Sequence, residues 1–386
     1  MLKEDKRKTE SKSARRITNG AALTLRGAAL FVLLGATFGF AGCGKPAPTA
    51  SAQEQPTPAK TTDLDSSVKP DAAFVRPVFN EDRAFAVLKK QCDFGPRVLG
   101  TAPHDKTRDY LTAEMKKVAD QTVMQTFKYR NMTVSNIVGV IYPAGATAPS
   151  KNPVVLMAHW DTRPIADGPF STEVNKSPAF RYGPKGWNRL TPISGASDGA
   201  SGVAVLLELA RLFHEKKPAV GVLIFLDDAE DYGDFQANGQ QGDGTELGAK
   251  YFAAHYGETP AFGKPIYGIL LDMVGGKNAI FPREDFSQNY ASNINDKVFE
   301  VAKSLGYGDR FLADQKQAVG DDHLSLNEKG IPTIDIIHPL PFAPYDKIGY
   351  TYWHTLQDTP ENCSAKTLKI VGDVVAETIY REKPGM

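Results

Sequence analysis

The 386-residue sequence has no excess charge of either sign: 45 Lys and Arg stand against 45 Asp and Glu. The balance is uneven along the chain. Residues 1–42 carry eight basic and three acidic side chains, and the remaining 344 carry 37 basic and 42 acidic. A mildly acidic body lacks the basic surface that nucleic acid requires, so no nucleic-acid partner is expected. Cysteine is scarce, with three residues at positions 43, 92 and 363, so a disulfide framework is excluded. The apolar run Ala28–Phe40 spans thirteen residues, short of the about 20 that cross a bilayer, and no series of spans follows it. There is no internal repeat. Apolar residues at 41% and charged residues at 23% are ordinary globular usage, which rules out a disordered chain or a collagen.

What precedes the body reads as an address. Lys3, Lys6, Arg7, Lys8, Lys12, Arg15, Arg16 and Arg26 form a basic leader, and Ala28–Phe40 has the length of a signal h-region. Its end, Phe40-Ala41-Gly42-Cys43, resembles the lipobox of bacterial lipoproteins. That resemblance implies cleavage after residue 42 and a lipid on Cys43, with the body exported and held at the periplasmic or cell-surface face of a bacterial membrane. An uncleaved anchor helix is the alternative. Residues 44–70 are rich in Pro, Ala, Thr, Ser and Gln, with almost no large apolar side chain, and cannot bury a core. A flexible tether is expected over 43–79 and a catalytic domain over 80–386. Cys92 and Cys363 remain in the body, and their spacing does not decide whether they pair.

The body alternates strand and helix patterns. Glu81–Lys90 and His104–Ala119 have helical spacing, the second with Leu111, Met115 and Val118 on one face. Short β-branched runs follow at 134–141, 154–157, 222–226, 266–271 and 333–337, apolar at nearly every position, as in strands buried on both faces. Val203, Leu206, Ala210 and Phe213 make one helical stripe; Leu368, Val371, Val375 and Ile379 make another. The order predicts one α/β domain with a central, mostly parallel mixed sheet and helices on both faces. Two long Gly- and Pro-rich loops, 162–197 and 232–245, are candidates for function.

Polar side chains cluster where the predicted strands end, the place where open α/β sheets bind ligands. The strand 154–157 runs into His159-Trp160-Asp161, the strand 222–226 into Asp227-Asp228-Ala229-Glu230-Asp231, and the strand 266–271 into Asp272. Gly195-Ala196-Ser197-Asp198-Gly199 precedes the Val203 helix; Asp321-Asp322-His323 and Trp353-His354-Thr355 come later. Singly, Asp198 fits a helix N-cap, His159 a satisfied core histidine, and 227–231 a solvated turn. Together they form a set that is costly to bury without a cation, and His with Asp and Glu is the usual ligand set for zinc.

These motifs, in this order, resemble the zinc-aminopeptidase family that includes animal-type glutaminyl cyclases, and the likeness runs from about Asn80 to the C-terminus, with Phe94-Gly95-Pro96-Arg97 at its start. The resemblance implies that in a two-metal aminopeptidase His159 and Asp272 hold one zinc, Asp231 and His354 the other, and Asp198 bridges both. Glu230 is the implied general base, and Asp161 the implied partner of the second ring nitrogen of His159. In a glutaminyl cyclase one zinc sits on Asp198, Asp231 and His354, Glu230 shuttles protons, and Asp272 and Asp321 form an acidic cluster beside it. The family usually has two adjacent glutamates where this chain has Glu230-Asp231. An alternative register would place Ala229 at the base position; the preferred one fills both roles.

Three features favour the cyclase: Trp353 directly before His354, as a wall for a flat glutaminyl side chain; Asp321-Asp322 before His323; and the segments 272–275 and 280–282. Gly199–Gly202 and Thr355–Thr359 fit aminopeptidases equally well. The expected activity is therefore conversion of N-terminal glutamine of peptides or proteins to pyroglutamate, with one zinc. The alternatives are a two-zinc aminopeptidase and a non-catalytic peptide-binding lipoprotein.

Overall fold

Which way the strands run, and which faces they cover, follows from a computed structural model that describes residues 76–168, 191–233, 242–258, 262–342, 344–345 and 347–384. The leader, Cys43 and most of the tether lie outside the described residues, as do parts of both long loops. The helices α1 (Glu81–Asp93) and α2 (Ala102–Val118) come first, followed by β1 (Gln121–Tyr129), β2 (Met132–Ile141) and β3 (Val154–His159). Then come α3 (Ala200–Glu215), β4 (Val222–Asp227), α4 (Leu247–His255) and β5 (Tyr267–Asp272). The chain continues with β6 (Phe281–Glu284), α5 (Asp285–Ser304), β7 (Phe311–Gln317), α6 (His323–Asn327), β8 (Thr333–Ile337) and α7 (Ala365–Tyr380).

Six strands form one sheet in the order β1-β2-β4-β3-β5-β8. The β1/β2 and β2/β4 pairs are antiparallel, whereas β4/β3, β3/β5 and β5/β8 are parallel. Every residue of β3, β4, β5 and β8 is buried, which explains their unbroken apolar runs: both faces are covered. One face carries Leu156, Ile224, Ile269 and Ile334 against α1, α2, α3, α5 and α7. The other carries Val155, Met157, Phe225 and Leu270 against α4 and α6. The expected mixed, mostly parallel sheet between two helical layers is the observed architecture.

The domain begins earlier than residue 80. Arg76 pairs with Asp373 at 2.9 Å and Glu377 at 3.0 Å, and Phe79 is buried in the core, where a Cβ on Gly372 would meet its ring. Residues 76–79, expected as the end of the tether, thus pack against α7 and the core. Phe79 follows a short Pro-containing segment with no helical or strand period, so only its burial reveals that it belongs to the core.

The parallel arrangement brings the carboxyl ends of β3, β4 and β5 to one edge, with His159 in register with Asp227. The α3 helix runs back from that edge. A Cβ on Gly199 would lie 2.3 Å from the His159 carbonyl oxygen, and one on Gly202 would lie 2.1 Å from that of Leu271. These two glycines let α3 start hard against both strand ends, which places Asp198 between them.

Candidate metal centre and acidic cluster

Each strand end is fixed by partners of its own. After β3, Trp160 is fully buried, stacks on His104 at 4.3 Å, and donates its indole N–H to the Ser135 carbonyl at 3.3 Å. Asp161 accepts from the backbone N–H of Glu230 at 3.1 Å and of Asp231 at 3.3 Å, tying the β3 end to the loop after β4. That loop is not a solvated turn: Asp227, Asp228 and Asp231 are all buried. Asp228 accepts from Ser135 N–H at 2.7 Å and lies 2.8 Å from His104 Nε2, so it is a structural residue. Ala229, Met273 and His354 take left-handed backbone angles, with φ of 60°, 47° and 53°. Such conformations cost on the order of 1–3 kcal/mol for a residue with a side chain and gather at functional sites. Asp198 is not a helix cap either, because the α3 N-cap is Gly199, with no side-chain cap bond. Asp358 receives the N–H groups of Ser197 at 2.8 Å and Asp198 at 3.2 Å, and Tyr350 donates to it at 2.6 Å.

Two groups of side chains converge with the reach of metal ligands. In the first, His159 Nε2 lies 3.1 Å from Asp198 Oδ1 and 3.2 Å from Asp272 Oδ1. In the second, His354 Nε2 lies 3.1 Å from Asp231 Oδ1 and 3.6 Å from Asp198 Oδ2. All five side chains are buried, and Asp198 belongs to both groups through different oxygens. Neither carboxylate oxygen of Asp231 has a hydrogen-bond donor aligned on it among the described residues. Buried carboxylate oxygens without donors, facing an imidazole nitrogen, suit a cation: the donor set and its convergence fit zinc. Each histidine has a carboxylate on its far nitrogen. Asp161 lies 3.3 Å from His159 Nδ1, and Asp167 lies 3.1 Å from His354 Nδ1.

Beside these groups lies a field of buried acids. Glu230 sits with its Oε2 3.9 Å from His159 Nδ1. Burial, reinforced by the charges of Asp231 and Asp321, pushes its carboxyl well above the ordinary range. Burial likewise raises Asp321, with Asp272 as its repelling neighbour, and raises Asp335, with Asp321 and Asp272 as its neighbours. Burial raises Asp272 too, against the His159 contact that lowers it. Asp198 behaves oppositely: burial opposes its charge, but His159, His354 and Arg97 outweigh it and hold the carboxyl below its usual value. Burial would lower His354, yet Asp231 and Asp167 push it up to about 10.

The structure thus brings together His159, Asp198, Glu230, Asp231, Asp272, Asp321 and His354. Trp353 is half-buried at the rim, its ring stacked on His354 at 4.1 Å and edge-on to Phe342 at 5.9 Å. Sequence reasoning missed Arg163, Asp167, Asp335 and Asp358. Asp335 lies within a strand read only for its apolar pattern. Arg163 and Asp167 stand four residues apart just after His159-Trp160-Asp161, a signal that was present but had no motif attached. Cys92 and Cys363 are both free thiols.

A doubly covered, mostly parallel sheet with histidine–carboxylate groups at its strand ends defines an α/β fold with a candidate metal centre. The chain belongs to peptidase family M28, whose model matches residues 136–379. It is similar to a Bacteroides thetaiotaomicron glutaminyl cyclase solved with N-acetylhistamine, at 38% identity and a TM-score of 0.67, covering 80% of this chain and 100% of that one. It is also similar to a Zn-dependent exopeptidase from Parabacteroides distasonis, at 37% identity and a TM-score of 0.67, again over 80% of this chain and 100% of that one. Among curated relatives, the glutaminyl-peptide cyclotransferase of Boiga irregularis is 22% identical over 285 residues, which is 67% of this chain and 68% of that protein.

Proposed function

We propose that the chain is a zinc-dependent glutaminyl-peptide cyclotransferase, converting N-terminal glutamine to pyroglutamate with release of ammonia. The observation that carries this reading is the field of buried carboxyls, Glu230, Asp272 and Asp321, beside a compact ligand set. Asp198, Asp231 and His354 form a compact ligand set, while Asp272 stands among carboxyls that hold protons above their ordinary range. A proton-handling cluster beside a single metal is what cyclisation needs. The likeness to glutaminyl cyclases at up to 38% identity supports it.

Zinc on Asp198, Asp231 and His354 supplies Lewis-acid polarisation of the side-chain carbonyl when bound. The reaction forms a bond from the α-amine nitrogen to the side-chain amide carbon and breaks that carbon's bond to the amide nitrogen. Glu230 takes the proton from the attacking amine and returns it to the departing nitrogen, which leaves as ammonia. This general acid–base work is worth about 10²–10⁴-fold. The raised proton affinity of Glu230 suits both directions of transfer, since like charges held close disfavour joint ionisation. Asp231 and Asp321 maintain that affinity by their charge, and Asp272 in turn raises Asp321. Trp353 offers a flat apolar face at the rim, and folding the side chain back on the amine makes the step intramolecular, an advantage that reaches about 10⁵ M in effective concentration.

A two-zinc aminopeptidase is the second reading, favoured by the completeness of the His159, Asp198 and Asp272 group. Metal analysis of the purified protein, paired with assays on N-terminal glutaminyl and leucyl peptides, separates the two. One zinc and ammonia release support the cyclase. Two zincs, leucine release and no ammonia install the peptidase. The protein is proposed to be exported and tethered through lipid on Cys43, which lies outside the described residues. No helix among the described residues is long and apolar enough to cross a membrane. Mass spectrometry of the mature chain tests the anchor: residues upstream of Cys43 would refute it.

A further inference from the structure

One guanidinium reaches Asp231 directly and His354 through Asp167. Arg163 is wholly buried, and Asp167 has 6% of its side chain exposed. Arg163 grips Asp167 as a fork, Nε to Oδ1 at 3.1 Å and Nη2 to Oδ2 at 2.6 Å. Its remaining nitrogen, Nη1, donates to the backbone carbonyls of Asp231 at 3.0 Å and Gly233 at 2.7 Å, and lies 3.8 Å from Asp231 Oδ1. Asp167 in turn faces His354 Nδ1 at 3.1 Å. The two loops also dock through their backbones. Gly168 donates its N–H to the His354 carbonyl at 2.9 Å, and a Cβ at residue 168 would lie 2.1 Å from the Trp353 carbonyl oxygen. The segment is pinned from behind by Ala166 N–H to Thr191 O at 2.8 Å and Ile193 N–H to Arg163 O at 3.2 Å.

We infer that Asp167, locked by Arg163, is a positioning residue for zinc: it accepts the Nδ1 proton of His354, so that Nε2 keeps its lone pair toward Asp231 and Asp198. The chemistry follows from the imidazole. A neutral ring has one donor nitrogen and one acceptor, and the partner of the first decides which is the second. A carboxylate held in a bidentate fork cannot rotate away. Arg163 adds a second constraint by fixing the backbone of Asp231, so the relative placement of Asp231 and His354 is set by one buried side chain. Asp161 stands on the corresponding nitrogen of His159, and its other bonds come from backbone N–H groups rather than from an arginine fork. The inference rests on His354 being a zinc ligand.

The test measures zinc affinity by chelator competition in the full chain, with Asp167→Asn, Arg163→Lys and His354→Ala beside the wild type. Partners of metal-bound histidines typically contribute about 10–100-fold to affinity. Asp167→Asn should weaken zinc by about that factor and change the visible spectrum of the cobalt-substituted protein, and it should also lower the unfolding midpoint of the metal-free protein, because Arg163 loses its buried partner. A purely structural role would move that midpoint and not the spectrum. Arg163→Lys keeps the charge but loses the fork, and should weaken zinc in the same direction by less. If His354→Ala loses zinc while Asp167→Asn binds as the wild type does, the inference falls and the site reading stands. If His354→Ala binds zinc as tightly as the wild type, the site reading falls and takes the inference with it.

Discussion

The two halves of the site share Asp198 and differ in what stands behind them. In the His354 half Arg163 grips the Asp167 carboxylate and the backbone of Asp231 and lies 3.8 Å from the Asp231 carboxylate, which burial still raises to about 6. The His159 half is backed by acids, with Asp272 in contact with a field that includes Asp321 and Asp335. Both halves present one histidine and two carboxylates, so ligand identity alone does not separate them. The surroundings do. Charge that is balanced keeps carboxylates ionised and ready for a metal, whereas crowded carboxyls in a low dielectric hold on to protons. On the proposed function the first half seats the cation and the second handles protons.

The largest expected effect comes from breaking the metal half. His354→Ala should lose zinc and cut ammonia release by about 10⁴-fold or more, since Lewis-acid polarisation is worth several kcal/mol and each 1.36 kcal/mol is tenfold. Metal analysis and a coupled ammonia assay check it, and retained zinc would show that the cation sits in the other half.

Glu230→Gln strikes the proton half. Zinc should stay, and kcat should fall by about 10²–10⁴-fold. The pH profile carries the sign. Glu230 must be ionised to take the amine proton, and burial with Asp231 and Asp321 raises its carboxyl. Activity should therefore be lost, as pH falls, at a value above the ordinary glutamate range near about 4.3. In the variant that acid limb should disappear; an unchanged limb would assign the base to another group.

His159→Ala sharpens the comparison further. The cyclase reading expects zinc to remain and much of the cyclisation to survive at high pH, with the acid limb moved to higher pH, because removing a cation that favours ionised Glu230 raises its carboxyl further. Loss of one of two zincs, with loss of hydrolysis of leucyl peptides, is the outcome for a two-zinc peptidase. The smallest effect belongs to Trp353→Ala. A lost aromatic face is worth about 0.5–1.5 kcal/mol, so KM for glutaminyl peptides should rise about three- to tenfold with zinc and kcat little changed.

Sequence alone determined a good deal. The strands β3, β4, β5 and β8 are legible because a doubly buried parallel strand must be apolar at successive positions, and their polar ends are legible by contrast with those runs. Asp198, Glu230, Asp231, Asp272, Asp321 and His354 could be singled out because several of them stand directly at such ends. The edge strand β1 was not read, because most of its side chains are exposed or half-exposed and mix polar with apolar residues. The α5 helix buries Ser287 and Asn295 among its apolar residues, which blurs its stripe. What only the tertiary structure decided is pairing. Nothing in the order of residues tells that Asp167 meets His354, 187 positions on, or that Arg163 reaches the Asp231 backbone. Such contacts are made by strand order and loop docking, and ligand types repeat in both halves of the site. The distribution of buried charge around each half, which distinguishes a metal seat from a proton store, exists only once the chain has folded.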